Sequence, residues 1–412
     1  MAQRIPGAPR RILLVDCDAF FVQVARLEDP HGAGKAECLV VGGSASGRGV
    51  VTSASYEARK YGVRSAMPAA QALRLCPRAT IVPVPRDAVG KWSRAVRSVL
   101  TELAPVVQAA SVDEFYLDMS GTERLFPGSL AETAEHIRQR VREVASITTS
   151  IGGGTRRVIA KLATGRAKPD GVFIVPPGGE EAFMRTLDLR HIPGIGPQLA
   201  RELAAKGLVS VESAWAIEPD WFERWFGTRR GRWLHRRIRG LDDSEVDPQE
   251  RRRSISSERT FGSDIDSDAE LSRRLLTMCG SVAARLRSKD LRARTVTVKI
   301  RDFDFRTRQR NRTLDTPVES DTAVFRCASC LLSDLRARRR VPVRLLGVGL
   351  GGLEGPESGG AQLEIFPESA EGKTVTPETP RDRHVTRAID ELADRFGGEV
   401  LVRGSTLRSK GR

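Results

Sequence analysis

Two short apolar runs in the N-terminal half of the chain end in acidic residues. Ile12–Val15 is a run of aliphatic residues that predicts a β-strand, and Asp16-Cys17-Asp18 follows it directly. A second β-type segment, Ser111–Asp118, carries Asp113 and Glu114 among apolar neighbours. Both segments therefore bring carboxylates into strands that would otherwise be buried.

Segments with helical periodicity alternate with the predicted strands. Apolar residues recur at helical spacing from Val89 to Leu103 and again from Leu130 to Val144, and Thr148–Ile151 then predicts another strand. The order of elements around the acids is β, α, β, α, β. This order predicts an α+β domain in which helices cover one face of the sheet.

The acids in these strands predict a metal site. An ionised carboxylate removed from water must be paired or must coordinate a metal. Clustered oxygen ligands favour a hard divalent cation such as Mg²⁺ or Mn²⁺, which usually also binds phosphates. If the two strands are neighbours, Asp16, Asp113 and Glu114 form a two-metal site for phosphoryl transfer.

Two glycine-containing segments could bind phosphate. Gly152-Gly153-Gly154 could cradle one, but glycines that close a strand into a turn are commoner, so we assign this run no catalytic role. His191–Ala200 resembles a helix-hairpin-helix motif, in which Gly194 and Gly196 expose N–H groups to a DNA phosphate. A plain turn between core helices is the alternative.

The tryptophans nearby are interpreted as core residues: Trp215, Trp221, Trp225 and Trp233.

The segment 241–252 is polar and turn-prone, and it predicts a linker to a second, basic module. Residues 251–350 contain 23 Lys and Arg against 12 Asp and Glu. Leu271–Leu286 predicts a helix and Thr295–Arg301 a strand, which indicates a small α/β module. The module also contains arginines that alternate along a presumed strand, which favours a phosphate-binding face over a merely solvated one: Arg306, Arg308, Arg310 and Arg312.

Composition supports a polyanionic partner. The 412 residues carry a formal charge of +15, and the pI is near 10.1. No apolar stretch approaches the roughly 20 residues that span a bilayer, so we expect no membrane association and a cytoplasmic protein. Of six cysteines only Cys327 and Cys330 form a CxxC pair, which without a second pair is better explained as two helix residues than as half a zinc site.

Two further segments carry a family resemblance. These are Ser55–Val63 (SYEARKYGV) and the segment from Ala160-Lys161-Leu162 to Ala167-Lys168-Pro169-Asp170-Gly171. In their order with the two acidic blocks, they make the chain resemble the Y-family, or translesion, DNA polymerases, and within them the bacterial DNA polymerase IV branch. The resemblance extends from about residue 11 to about residue 353.

The resemblance implies a right-hand polymerase with four domains. The expected divisions are a ferredoxin-like palm (1–27 and 86–174), small fingers (28–85), a helical helix-hairpin-helix thumb (175–240) and, after the linker, a separate α/β little finger (253–354) along the DNA major groove. Residues 355–412 would form a flexible tail with a possible terminal helix.

The resemblance also assigns roles to the acids. Asp16 and Asp113 would bridge two Mg²⁺ ions, or Mn²⁺, with Glu114 on the ion at the primer 3′-hydroxyl. The Cys17 backbone carbonyl would complete the nucleotide-side ion. Asp18 and Asp118 are expected to be structural.

The triphosphate of a deoxynucleoside triphosphate would be held by several groups. Arg59 and Lys168 would bind phosphate oxygens, Tyr56 and Ser53 would donate hydroxyl hydrogen bonds, and the N–H groups of Phe20 and Phe21 could add to these. Taken alone, Tyr56 and Arg59 would be ordinary helix-surface residues. Phe21 matches the steric gate, whose ring leaves no room for a 2′-hydroxyl; without the resemblance it would be a core aromatic.

The expected function is template-directed, error-prone translesion DNA synthesis by a monomer. No second acidic cluster resembles a proofreading exonuclease, so no editing step is expected. A polymerase-like DNA-binding adaptor without catalytic activity is the alternative, but it has no reason to keep three acids in apolar strands. A repair nuclease is a third interpretation, which leaves Tyr56, Arg59 and Lys168 unexplained.

A short apolar peptide lies in the polar tail. Gln362, Leu363, Ile365 and Phe366 resemble the pentapeptide with which bacterial polymerases bind the sliding clamp, the β subunit. The alternatives are a strand that folds back on the little finger and a cover for the tail's own helix near Val385–Phe396.

Overall fold

The structure, a computed structural model, describes residues 9–249, 252–355 and 378–397. The chain forms two compact units, residues 1–250 and 251–412. None of the described helices is both long and apolar enough to cross a membrane.

The first unit contains two sheets and eleven α-helices in its described part. Its strands are β1 (Ile12–Cys17), β2 (Leu39–Gly42), β3 (Val51–Ala54), β4 (Thr80–Val82), β5 (Val106–Ala109), β6 (Glu114–Asp118), β7 (Thr149–Gly154) and β8 (Val172–Ile174). Its helices are α1 (Phe20–Glu28), α2 (Tyr56–Lys60), α3 (Ala69–Leu75), α4 (Arg86–Leu103), α5 (Leu130–Ala145), α6 (Arg157–Ala167), α7 (Glu180–Arg185), α8 (Pro197–Ala204), α9 (Val211–Trp215), α10 (Pro219–Phe226) and α11 (Thr228–Ile238).

The central sheet has the strand order β5-β6-β1-β7-β8, with β1 antiparallel to both neighbours. On one face Leu13 and Val15 pack with apolar residues of α4 and α5. On the other face Ile12 and Leu14 pack with Ala160 of α6. The expectation that helices cover only one face is therefore wrong. A strand covered on both faces reads as a continuous apolar run, which is what Ile12–Val15 shows.

The glycine run lies inside β7 and does not close it into a turn, contrary to the expectation from sequence. A Cβ on Gly152 would lie 2.0 Å from the backbone nitrogen of Thr164 and 2.4 Å from the carbonyl oxygen of Ala160. Gly152 therefore lets α6 approach the sheet at backbone distance. This approach places α6 beside the acids at the end of β1.

Gly152→Ala is expected to destabilise the first unit by about 2 kcal/mol or more, because the added methyl group must push α6 away from β7. Gly165→Ala is the control on α6 itself: no atom lies within 4 Å of its Cβ position, and alanine there should stabilise the helix by up to about 1 kcal/mol. Denaturant titrations followed by tryptophan fluorescence measure the stability of both variants, since all five tryptophans lie in this unit. Equal midpoints for the Gly152→Ala and wild-type proteins would contradict the close approach.

Two further parts complete the first unit. Strands β3-β2-β4 form a small sheet that packs with α2 and α3 around Val40, Ala58 and Ala72. Helices α7 to α11 surround a core that includes Phe222 and Leu234. Trp215, Trp225 and Trp233 are half-buried against this core, whereas Trp221 is 49 % exposed. The interpretation of Trp221 as a core residue is therefore wrong, because Phe222 fills that position on α10.

The second unit is a four-stranded antiparallel sheet with helices. Its strands are β9 (Ser254–Ile265), β10 (Arg292–Asp302), β11 (Thr307–Val318) and β12 (Val343–Glu354), in the order β11-β10-β12-β9. Its helices are α12 (Asp268–Arg287), α13 (Asp321–Arg338) and α14 (Pro380–Phe396). Val296, Val298 and Ile300 of β10 pack with residues of α12 and α13, which confirms the helix and strand expected from sequence.

The C-terminal helix α14 packs on the second unit through polar contacts. Thr386 donates a hydrogen bond to Asp321 at 2.9 Å, and Asp390 receives two from Arg287 at 2.6 and 2.8 Å. The helix expected near Val385–Phe396 is therefore present, and this part of the tail is anchored to the unit.

Candidate active site

The three predicted acids meet at one end of the central sheet. Asp16 stands opposite Glu114 in the antiparallel pair of β1 and β6. Asp113 lies in the bend just before β6, where its carbonyl oxygen accepts a hydrogen bond from the Cys17 N–H at 2.9 Å. Two neighbouring strands thus bring together residues that are about a hundred positions apart in the sequence.

Each of the two strand acids is paired with a lysine. The Lys168 ammonium lies 2.6 Å from Asp16 Oδ1, and the Lys161 ammonium lies 2.7 Å from both carboxylate oxygens of Glu114. Lys161 is on α6, and Lys168 caps the end of the same helix. Seven residues, or two turns, separate the lysines, so they share one side of the helix.

The sequence alone assigned no role to Lys161, although this residue lies in a segment that carries the resemblance to the Y-family polymerases. Its spacing from Lys168 is the signal that could have identified it. The helical period places residues i and i+7 above each other, and one of the pair was already assigned to phosphate.

Burial and neighbouring negative charges raise the pKa of the Asp16 carboxyl. The pKa of this carboxyl is raised to about 6, chiefly because the group is removed from water; Lys168 opposes this rise, and the neighbouring Glu114 and Asp113 add to it. Burial also raises the pKa of the Cys17 thiol well above its usual range, with help from Asp113. Cys17 is therefore a neutral thiol, and it can offer a cation only its carbonyl oxygen.

The donor set fits hard divalent cations. Asp16, Asp113 and Glu114 supply carboxylate oxygens and Cys17 a carbonyl oxygen, which is the ligand chemistry of Mg²⁺ and Mn²⁺. Burial, with a smaller effect of the neighbouring carboxylates, disfavours the charged form of Asp16, and such a cation would offset this cost. As the side chains stand, no group of three or more His, Cys, Asp or Glu in the described ranges is arranged to hold a metal, because the lysines take up the carboxylates.

The beginning of α1 faces the same end of the sheet. Ala19 precedes the helix in a left-handed conformation, with φ of 42°, and gives it no side-chain cap. Within the described ranges, neither the Phe20 N–H nor the Phe21 N–H has a hydrogen-bond acceptor. Two adjacent unpaired N–H groups at a helix N-terminus form an anion site.

The two phenylalanines differ in burial. Phe20 is fully buried in the core above the central sheet, whereas Phe21 is half-buried between that core and the cluster around Val41. Their rings meet edge to face, with centroids 5.8 Å apart. Only the Phe21 ring is accessible to a ligand, as the steric-gate assignment requires.

The remaining phosphate-binding candidates lie on β3 and α2. The Tyr56 hydroxyl donates to Asp18 Oδ1 at 2.9 Å, and burial together with the Asp18 charge raises the pKa of this hydroxyl. The Arg59 guanidinium lies 4.8 Å from the centre of the Tyr56 ring, and its Nε donates to the Ala54 carbonyl oxygen at 2.9 Å. Ser53 is buried on β3.

Asp18 holds this part of the site together. Its carboxylate also accepts hydrogen bonds from the Ser150 hydroxyl at 2.9 Å and the Asp170 N–H at 3.0 Å. Together with Tyr56, these donors link β1, β7, α2 and the loop after α6. The interpretation of Asp18 as structural agrees with these contacts, although the sequence did not reveal its partners.

The expected DNA-binding hairpin has the required backbone geometry. Gly194 has φ of +98°, and a Cβ there would lie 2.6 Å from the Trp233 ring, so only glycine fits. Gly196 precedes α8 with an extended backbone and has open space around its Cβ position. Contact of either glycine with DNA stays a prediction.

The arginines of the second unit do not form one open face. Arg306 precedes β11, and Arg308 and Arg310 stand opposite the buried residues Ile300 and Val298 of β10. These two arginines therefore lie on the helix-covered side of the sheet. The expectation of an open phosphate-binding face is wrong for Arg308, whose side chain is only 13 % exposed.

Internal partners explain this placement. Arg308 pairs with the fully buried Asp302 at 2.9 Å and also donates to the carbonyl oxygens of Leu335 and Arg339. Arg310 pairs with Asp334 of α13 at 2.6 Å. Any contact of Arg306 or Arg310 with DNA stays a prediction. The clamp-binding candidates Gln362, Leu363, Ile365 and Phe366 lie outside the described residues.

Comparisons with known proteins identify the family of the chain. Residues 15–165 match the impB/mucB/samB family, and residues 252–365 match the C-terminal domain of that family. The DNA polymerase IV of Halorhodospira halophila is 39 % identical over 345 residues, which cover 84 % of this chain and 96 % of the relative. That of Staphylococcus aureus strain JH9 is 38 % identical over 346 residues, with the same coverage.

Solved structures give the same result. A Y-family DNA polymerase chimera of Dbh and Dpo4 superposes with a TM-score of 0.75 at 25 % identity, over 84 % of this chain and 99 % of its own. An insertion ternary complex of Dbh DNA polymerase gives a TM-score of 0.60 at 26 % identity, over 83 % and 98 %. The chain belongs to the Y-family of DNA polymerases, the impB/mucB/samB family. Within that family it groups with the DNA polymerase IV relatives, which confirms the expected α+β class and enzyme class.

Proposed function

We propose that this protein is a template-directed, error-prone DNA polymerase that adds deoxynucleotides to a primer 3′-hydroxyl by two-metal-ion phosphoryl transfer, without proofreading. The observation that carries the proposal is the meeting of Asp16, Asp113 and Glu114 on two paired strands. Unpaired N–H groups of α1 and the ammonium of Lys168 lie at the same end of the sheet. Groups suited to anions and groups suited to cations thus lie side by side, as transfer of a nucleotide would require.

The acids would hold the cations in defined roles. Asp16 and Asp113 would bridge two Mg²⁺ ions, Glu114 would bind the ion nearer the primer, and the Cys17 carbonyl would bind the other. These ions supply charge neutralisation at the α-phosphate and lower the pKa of the primer 3′-hydroxyl. The chain's own part is to fix the backbone positions of the acids at the ends of adjacent strands, so that only their lysine partners must move when substrate binds.

The triphosphate would take over partners that now bind protein groups. Lys168 would pass from Asp16 to a phosphate oxygen, and the Phe20 and Phe21 N–H groups would donate to another. Arg59, fixed through its Nε, would present its terminal nitrogens to the phosphates. Tyr56 and Ser53 would add hydroxyl donors.

The duplex would be held by parts outside the central sheet. On this proposal the central sheet is the palm, residues 28–85 the fingers, the helices from α7 to α11 the thumb, and the β9–β12 unit the little finger. The thumb hairpin would bind backbone phosphate. In the little finger we place DNA on the face of β10 that none of the described helices covers, which carries Thr297, Lys299 and Arg301.

Primer extension on undamaged and lesion-containing templates, with Mg²⁺ or Mn²⁺, tests this proposal. The protein should extend matched primers and pass some lesions, and it should leave a mispaired 3′ nucleotide in place because it has no editing site. Binding of primer-template without any extension under either metal would instead show an inactive adaptor.

Clamp binding gives a separate prediction. Leu363→Ala combined with Phe366→Ala should remove the stimulation of synthesis by the cognate clamp, because apolar anchors dominate such peptide contacts. Stimulation is expected because tethering raises the local concentration of the enzyme at the primer end. Extension without clamp should stay unchanged, and Glu364→Ala within the same peptide serves as the control. Stimulation that survives the double substitution would place the clamp contact elsewhere.

A further inference from the structure

Lys161 is a cation at the acidic site to which the proposed function assigns no task. Its ammonium lies 2.7 Å from each oxygen of Glu114, so it occupies both oxygens of that carboxylate. The side chains of Lys161 and Glu114 are 37 % and 27 % exposed. A cation that binds Glu114 through these oxygens must first displace Lys161.

The exposed side of Lys161 opens into a cleft of about 570 Å³ within the first unit. The opposite wall is formed by the loop that leads into the hairpin of Gly194, with Asp188, His191 and Pro193. Arg166 lies on the same wall as Lys161, one and a half turns further along α6. The cleft thus has cationic groups on the wall that borders the acids, and on the other wall the segment that precedes the candidate phosphate-binding hairpin, with Asp188 as its one carboxylate among the lining residues.

We propose that Lys161 is a positioning residue that neutralises Glu114 until DNA arrives and then passes to a DNA phosphate in this cleft. The inference rests on the proposed function, because it takes Glu114 to be a ligand of a divalent cation. In the free protein the ammonium satisfies a carboxylate that has two other carboxylates as neighbours. Phosphate in the cleft offers the ammonium a second anion, and Glu114 is released to the cation.

This arrangement couples DNA binding to metal binding. If DNA draws Lys161 away, the affinity of Glu114 for a divalent cation rises when DNA is bound. By linkage, the cation then raises the affinity for DNA by the same factor. Free enzyme would therefore hold the primer-side cation weakly, and the catalytic site would be completed only on a primer.

Measurement of Mn²⁺ binding tests this proposal without reference to turnover. Electron paramagnetic resonance titrations give the Mn²⁺ dissociation constant of wild-type and Lys161→Met proteins, each with and without primer-template. Without DNA, Lys161→Met should bind Mn²⁺ roughly tenfold more tightly, because Glu114 no longer has an internal cation. DNA should tighten Mn²⁺ binding in the wild type and change it little in the variant.

Two controls make the result specific. Arg166→Gln removes another cation of the same cleft. In the described part of the chain this arginine donates to the Thr186 hydroxyl and pairs with no carboxylate, so the substitution should leave Mn²⁺ binding without DNA unchanged. The double variant Lys161→Met, Glu114→Gln should lose the gain, since the coupling requires both residues. A structural defect alone would weaken Mn²⁺ binding and could not produce the gain.

Two results would overturn the proposal: equal Mn²⁺ affinity of Lys161→Met and wild type without DNA, or equal tightening by DNA in both proteins. The salt dependence of DNA binding gives a second measurement, because loss of one phosphate contact should reduce its slope by about one. Failure of the proposed function is distinguishable, since it would appear as wild-type protein that neither extends primers nor binds Mn²⁺ in an Asp113-dependent way.

Discussion

Asp113→Ala is expected to reduce nucleotide addition by at least about a thousandfold, or about 4 kcal/mol in the activation barrier. The residue would bridge both cations, so its loss removes a ligand from each. The substitution should spare the fold, because the main-chain hydrogen bond from the Cys17 N–H to the Asp113 carbonyl oxygen remains. The hydrogen bond that is lost is a local one, which the Asp113 carboxylate accepts from the nearby Ser111 hydroxyl.

Single-turnover primer extension measures the rate, and fluorescence anisotropy measures primer-template affinity. Without divalent cation, affinity should change by less than about twofold, since the proposed DNA contacts of the thumb and little finger do not involve Asp113. Asp118→Asn at the far end of β6 is the matched control: its carboxylate contacts Arg10 and the Ser120 N–H, and activity should be retained. Extension by Asp113→Ala at near wild-type rate would disprove the catalytic assignment of this acid.

Phe21→Ala is expected to raise the relative incorporation of ribonucleotides by tenfold or more, equivalent to about 1.4 kcal/mol of lost discrimination. The ring is half-buried at the beginning of α1, beside the N–H groups proposed to hold the triphosphate. If the sugar of the nucleotide lies against this ring, as the steric-gate assignment proposes, its removal would open space there and the 2′-hydroxyl would no longer clash. Much of the deoxynucleotide activity should remain.

The adjacent residue supplies the control. Phe20 is 1 % exposed, so Phe20→Ala should cost about 3 to 5 kcal/mol of stability without altering the sugar preference of the folded protein. Competition between the two sugars and thermal unfolding should be measured for both variants. A Phe21→Ala protein that is strongly destabilised and keeps its sugar preference would show that the ring serves only as core.

Local pattern was sufficient for much of the fold. The helices of the central region begin and end within a few residues of the predicted spans, because the spacing of apolar residues reports directly which side of a helix is buried. The sequence pattern gave a wrong interpretation where one residue type can serve two structural purposes. Gly152 was interpreted as a turn residue, but it serves close packing of α6, and the spacing of arginines did not show which face of β11 the helices cover.

The sequence by itself determined the elements, the acidic site and the family, because an acid in an apolar strand and an ordered set of motifs are properties of neighbouring residues. Only the tertiary structure decided which groups meet. Lys168 and Asp16 are 152 positions apart, and Lys161 and Glu114 are 47 apart, so no local period relates them. The close approach of α6 to β7 at Gly152 brings both lysines to their acidic partners. In the same way, the packing of α13 on the second sheet brings Arg308 to Asp302. Such contacts depend on how whole elements pack, and a pattern along one element carries no information about its partner across the core.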